Sequence, residues 1–170
     1  LPRLLAAHPS LIAVSANIHP AHTTAVEGAQ EIHLAGAASI PVRTGDVTLF
    51  ARPQSFLQTN TAVAAQLYRQ GAAWAREILA QPGAEAAPRV WDLYCGLGGF
   101  ALHVARAVPG ARVTGVEVSP QAIDGAREAA EAAGLRSATF LAADAIKLVV
   151  LVPITARLRP VIHRYLSPND

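Results

Sequence analysis

The stretch Arg89-Val-Trp-Asp-Leu-Tyr-Cys-Gly-Leu-Gly-Gly-Phe100 decides the fold. Residues 89–94 have the β-branched and aromatic content of a short strand, and residues 95–99 supply glycines that can turn sharply because they lack a Cβ. A helix from about residue 99 to 107 follows and is broken by Pro109-Gly110. The pattern then repeats. A strand at 112–118 leads into a helix with Ser119 as its cap and Pro120 at its first position; the helix runs to Ala133 and stops at Gly134. A further strand at 139–142 ends at Asp144. Strand, helix, strand, helix, strand at this spacing predicts an α/β fold with a parallel, doubly wound sheet. Right-handed crossovers then bring the three strand ends to one edge.

Upstream of this unit the chain has a different texture. Residues 11–18 alternate loosely in an apolar run, residues 30–34 form a second short candidate strand, and residues 47–51 a third, stopped by Pro53. Residues 1–51 are therefore read as part of a small β-rich domain. From Thr59 the period changes: Val63, Leu67, Gly71, Trp74 and Ile78 recur at three and four residues, which predicts a helix of about 20 residues ended by Pro82-Gly83. Residues 81–88, rich in Ala, Pro and Gly, read as a surface linker.

Composition narrows the function classes. The 170 residues suit about one domain, and 52% apolar with only 15% charged residues excludes a disordered or coiled-coil chain. The 36 Ala and 13 Arg against a single Lys147 read as the bias of a GC-rich genome, not as a functional signal. One cysteine, Cys95, rules out a disulfide framework and any multi-cysteine metal site built from this chain alone. No run approaches the ~18 apolar residues of a membrane span, so no membrane contact and a cytoplasmic setting are expected. Residues 1–144 hold 10 cations and 11 acids, whereas residues 145–170 hold four cations and one acid. The main body thus gives no bulk-charge argument for nucleic-acid binding.

The turn Gly96-Leu-Gly-Gly99 is a place where backbone can approach a ligand and helix N–H groups can face it. Glu117, 19 residues after Gly98 at the end of the next strand, can accept both hydroxyls of an adenosine ribose. Asp144, at the third strand end, can accept from the adenine amino group or merely cap a helix. Asp92, inside the first strand, can contact a ligand or hold the glycine turn in shape. Gly96, Gly98 and Ala101 also satisfy the G-x-G-x-x-G/A pattern of dinucleotide binding, so the turn leaves a nicotinamide cofactor open. His19, His22 and His33 lack metal-ligand spacing, and no metal site is assigned.

A wider set of motifs carries a resemblance. Ser15-Ala-Asn-Ile-His-Pro20, Glu27-Gly28, Arg52-Pro-Gln-Ser-Phe-Leu-Gln-Thr-Asn60 and Trp91-Asp-Leu-Tyr-Cys-Gly-Leu-Gly-Gly-Phe100, in this order, resemble the RNA (uracil-5-)-methyltransferases. The resemblance runs from about residue 11 to 144, and the Arg-Pro-x-Ser-Phe-x-Gln-x-Asn string is its most specific part. It implies a Rossmann-like methyltransferase fold that uses S-adenosyl-L-methionine, with 23S ribosomal RNA as partner, acting as a monomer. It also implies roles: Gln58 contacts the cofactor, Tyr94 and Gly96, Gly98 and Gly99 line it, Glu117 binds its ribose and Asp144 lies near its adenine. Cys95 then packs inside the cofactor turn.

The same resemblance implies a reaction in which a cysteine thiolate adds to uracil C6, C5 takes the methyl group and a base removes the C5 proton. The Asn-Pro-Pro loop, nucleophilic cysteine and glutamate base of that reaction lie beyond the aligned region, and no catalytic residue is assigned here. The family's four-iron four-sulfur cluster is expected in the full-length protein and not on this chain. Residues 145–170 do not align; a shifted reading frame or truncation is the simplest reading of that tail, and its run Lys147-Leu-Val-Val-Leu-Val-Pro153 can still form a strand, too close for any Asn-Pro-Pro counterpart. An incomplete sheet is expected to leave an open edge and apolar surface. A non-catalytic nucleoside- or RNA-binding module is the competing reading.

Overall fold

The computed structural model describes residues 1–19, 27–81 and 86–151. Helix α1 (Pro2–Ala7) precedes an antiparallel hairpin of β1 (Ala13–Ile18) and β2 (Gln30–Gly36), then a second hairpin of β3 (Ile40–Thr44) and β4 (Val47–Ala51). Helix α2 (Thr61–Leu79) leads into β5 (Arg89–Leu93), α3 (Gly99–Ala107), β6 (Arg112–Glu117), α4 (Pro120–Ala132), β7 (Ala138–Ala142) and α5 (Ala145–Leu151). Strands β5, β6 and β7 form a parallel sheet in that order, with Leu93 beside Val116 and Glu117 beside Ala142. The α/β architecture with a parallel sheet is as expected.

Local chemistry sets the element ends. Ser119 accepts from the Ala122 N–H at 3.3 Å to cap α4, and Gly134 follows that helix at φ +65°. Asn60 accepts from the Val63 N–H at 3.1 Å, so α2 starts at Thr61 and not at Thr59. The Pro82-Gly83 stop lies outside the described residues.

The core lies between the sheet and its helices. Leu102, Val113, Ile123, Ala126 and Phe140 are buried there, and Val47 and Leu49 of the β3–β4 hairpin join the same cluster. His103 ties the hairpin to α3: Nδ1 lies 2.7 Å from the Gly99 carbonyl and Nε2 2.9 Å from that of Thr44.

Some features of the structure lie beyond the sequence reading or depart from it. The apolar stripe of α2 gives the right period but faces outward, with Val63, Leu67 and Trp74 about half exposed, while Ala64, Ala65 and Ala72 face the core. Small side chains are needed on the inner face because α2 lies tight on α3: a Cβ on Gly71 would fall 2.8 Å from the Phe100 ring. Strand β3 and helix α1 were not anticipated. The run from Lys147 to Leu151 is helical and not a strand, because Asp144 Oδ1 accepts from the Ile146 and Lys147 N–H groups at 2.9 and 3.3 Å and starts α5. Val152 and Pro153 lie outside the described residues.

Candidate functional site at three strand ends

Parallel register places the C-terminal ends of β5, β6 and β7 side by side. The Cys95 N–H donates to the Val116 carbonyl at 3.0 Å, and the Ala143 N–H to the Glu117 carbonyl at 2.9 Å, so the ladder continues to the strand tips. Beyond β5 the chain turns at once. Tyr94 has φ +63°, a left-handed conformation that costs a non-glycine residue about 1–2 kcal/mol, and it leaves the ring 62% exposed.

The glycines of the turn divide by what surrounds them. A Cβ on Gly98 would lie 2.7 Å from the Phe140 ring, and one on Gly99 would run into the Tyr68 ring. These two glycines let sheet and helices close on the turn. Gly96, at φ +52°, has nothing within 4 Å of where its Cβ would be. Its missing side chain leaves open space at the mouth of the turn.

Glu117 organises the site from the neighbouring strand. Its Oε1 accepts from the Val118 and Ser119 N–H groups at 2.8 and 3.1 Å, and its Oε2 accepts from the Gly96 N–H at 3.3 Å. The carboxylate therefore spans the ends of β5 and β6. Val118, 67% exposed beside it, was not anticipated; its place directly after a strand-end acid was the available signal. Asp144 sits at the end of β7, with Oδ1 engaged in the α5 cap and Oδ2 3.8 Å from Lys147 Nζ. Gln58 lies on the exposed segment before α2 and makes no hydrogen bond among the described residues. The structure thus brings Tyr94, the glycine turn, Glu117 and Asp144 to one edge, and does not link Gln58 to them.

Asp92 supports the turn from beneath. Its Oδ2 accepts from the Ala101 N–H in the first turn of α3 at 2.9 Å, the shape-holding role considered above. Burial raises its carboxyl pKa, and the Ala101 hydrogen bond offsets part of that rise. Asp92→Asn keeps an acceptor for Ala101 and is expected to leave denaturant stability little changed. Asp92→Ala orphans that N–H and is expected to lose about 1–3 kcal/mol in the same urea titration.

Cys95 is chemically quiet. Burial, and then the negative charges of Asp92 and Glu117, push its thiol up to about 12 from an ordinary 9.0. The unfolded chain gives up this proton first, so the contribution of Cys95 to stability is intact below pH 9.0 and is lost as pH rises toward about 12. Urea stability is expected to fall across that window. Iodoacetamide is expected to label the native thiol far more slowly than the unfolded one.

The Arg-Pro-x-Ser-Phe-x-Gln-x-Asn segment has structural duties. Arg52 pairs with Glu128 of α4 at 2.9 Å, and the Ser55 hydroxyl accepts from the Arg52 N–H at 2.9 Å. Gln54 donates to the Gly28 carbonyl at 2.7 Å, where Asn17 also donates at 3.1 Å. Three of the motif pieces thus meet at one peptide. An open cleft of about 480 Å³ between residues 37–39, Arg52 and α4 lies away from the strand ends. Among the described residues, no group of three or more His, Cys, Asp or Glu could hold a metal ion, and no helix is long and apolar enough to cross a membrane.

A family described as "Methyltransferase domain" matches residues 90–153. The chain is 44% identical over 147 residues to the 23S rRNA (uracil(747)-C(5))-methyltransferase of Vibrio cholerae, and 42% identical over 147 residues to that of Yersinia pseudotuberculosis. Each match covers 86% of this chain and 37% of the relative, so the chain spans well under half the length of these relatives. Among solved structures it is similar to the Pyrococcus abyssi tRNA (uracil-54, C5)-methyltransferase bound to S-adenosyl-L-homocysteine, with a TM-score of 0.59 and 24% identity over 78% of this chain and 30% of that one. An S-adenosylmethionine-dependent methyltransferase from Agrobacterium tumefaciens gives 0.51 and 23% over 72% and 38%. These two likenesses establish the Rossmann-like methyltransferase fold. The identities of 42–44% across 86% of the chain go further: over the matched residues, it is similar to RNA (uracil-5-)-methyltransferases.

Proposed function

We propose that the three strand ends bind S-adenosyl-L-methionine, and that the chain is the cofactor-binding part of an enzyme that methylates C5 of a uridine in 23S ribosomal RNA in the cytoplasm. The observation that carries the reading is Glu117, whose carboxylate stands across the tips of β5 and β6 beside the open face of Gly96. A carboxylate there accepts the two ribose hydroxyls, which requires it to relax its 3.3 Å contact with the Gly96 N–H. The freed N–H and the start of α3 then face the amino-acid end of the ligand. Tyr94 and Val118, both exposed, flank the position where an adenosine would lie. The residues fit the group: backbone without a Cβ where the ligand must approach closely, an acid where hydroxyls must be held, apolar surface beside it. When bound, S-adenosyl-L-methionine supplies an electrophilic methyl group on a sulfonium.

The substrate part of the reading rests on relatives named for 23S rRNA, because the chain's own bulk charge does not point to RNA. Gln58 and Asp144 complete the proposed contact set, from the segment before α2 and from the end of β7. No described residue is assigned to attack uracil: Cys95, half-sunk in the turn with its thiol pushed up to about 12, is held as the thiol. A four-iron four-sulfur cluster is assigned to none of these residues. The proposal is tested by thermal shift with S-adenosyl-L-homocysteine and, separately, NADH. Stabilisation by the first alone is expected; stabilisation by NADH alone would transfer the turn to dinucleotide chemistry.

A further inference from the structure

His103 lies one helical turn after Gly99 in α3 and is only 4% exposed. The strand-end site makes no use of it. Both of its ring nitrogens meet carbonyl oxygens: Nδ1 stands 2.7 Å from that of Gly99, and Nε2 2.9 Å from that of Thr44. A carbonyl only accepts, so each contact needs an N–H on the ring, and a neutral imidazole has one. Its bare nitrogen would then face a carbonyl lone pair inside the core, where an unmatched polar pair is costly. An imidazolium supplies both donors.

The surroundings suit a cation. The Tyr68 ring of α2 lies 5.2 Å from the His103 ring, close enough for an aromatic face to attract positive charge. Burial, and then the negative charge of Asp92, raise the Tyr68 pKa, so the same pocket already carries negative potential. Arg69 of α2 works the other way, since its guanidinium reaches Gly45 beside Thr44; Asp46 follows in the same turn. Among the described residues no carboxylate pairs with the ring itself, which leaves the two carbonyls as its hydrogen-bond partners.

The two carbonyls belong to different parts of the molecule. Gly99 opens α3 at the mouth of the glycine turn, and Thr44 ends β3, where its buried hydroxyl donates to the Val47 carbonyl at 3.1 Å and closes the hairpin tip. We propose that His103 is a positioning residue: with a proton on each ring nitrogen, it fastens the start of α3, and with it the glycine turn, to the β3–β4 hairpin. Loss of one proton leaves one carbonyl without its donor and frees one end of the link. The charge state follows from the geometry alone, whereas its effect on a ligand rests on the strand-end site proposed above.

The test is a titration with base of the full ¹⁵N-labelled chain, with the imidazole nitrogens followed by long-range ¹H–¹⁵N correlation. The amides of Gly45 and Phe100, whose peptides carry the two carbonyls, and of Gly98 in the turn are read on the same sample. At neutral pH both His103 nitrogens are expected to show the protonated signature, and deprotonation is expected to shift the three amides in the same step. A bare nitrogen at neutral pH, or a titration that leaves those amides still, would overturn the proposal. Affinity for S-adenosyl-L-homocysteine is expected to fall about 2- to 10-fold across the step, the worth of one hydrogen bond. His103→Gln, which carries no charge, should bind at the weaker level on both sides of it. Affinity that ignores the step would reduce His103 to packing and overturn its positioning role. Absence of ligand binding altogether would remove the strand-end reading, and the ring and amide signals would still decide the link.

Discussion

Gly98→Ala is expected to lower stability by about 2–5 kcal/mol, a large part of what a domain of this size has. Two causes add. At φ +78° an alanine carries about 1–2 kcal/mol of left-handed strain. Its Cβ would also lie 2.7 Å from the Phe140 ring and 3.2 Å from the Ala126 Cβ, both in the packed core, and such overpacking costs about 1–3 kcal/mol. Gly96→Ala supplies the contrast. It has similar strain at φ +52° but no neighbour within 4 Å, so it should lose only about 1–2 kcal/mol. Urea denaturation of the two variants should separate them. Equal losses would mean that the core does not close on Gly98 as described.

Glu117→Ala is expected to weaken S-adenosyl-L-homocysteine binding 10- to 100-fold, the loss of about 1–3 kcal/mol that accompanies removal of a charged hydrogen-bond acceptor. Glu117→Gln keeps the length and an acceptor oxygen and should fall between. The same carboxylate holds the Val118 and Ser119 N–H groups in the uncomplexed chain. Its removal should therefore also loosen the start of α4, visible as faster amide exchange at those two positions. Isothermal titration of the variants gives the affinity ratio, and unchanged affinity for Glu117→Ala would remove the ribose contact from the proposal.

Local signals made the sheet unit legible. Ser119 before Pro120, Gly134 after the helix, and the glycine cluster after residue 94 each act within a few residues, and each does in the structure what its chemistry dictates. The meeting of the three strand ends followed from the same unit, because right-handed parallel crossovers leave little choice about which ends lie together. What depends on packing was less accessible. The period of α2 is plain in Val63, Leu67 and Trp74, but which face turns inward was decided by how closely Ala64, Ala65 and Ala72 let it approach its neighbours. Strand β3 begins Ile40-Pro41 and carries Arg43, a poor strand signal, and is held by pairing with Val47–Ala51. At Asp144 the ligand reading and the cap reading use the same carboxylate, and only the position of the Ile146 N–H shows that the cap is made. The hold of Glu117 on Gly96, 21 residues away, is likewise a product of strand register.

Amide chemical-shift mapping of the ¹⁵N-labelled chain with S-adenosyl-L-homocysteine tests whether the three strand ends form one nucleoside site. Perturbations are expected together at Gly96, Gly98 and Gly99 after β5, at Val118 and Ser119 after β6, and at Ala143 and Asp144 after β7. Shifts confined to the cleft around Arg52 and Arg127, or none at saturating ligand, would contradict it.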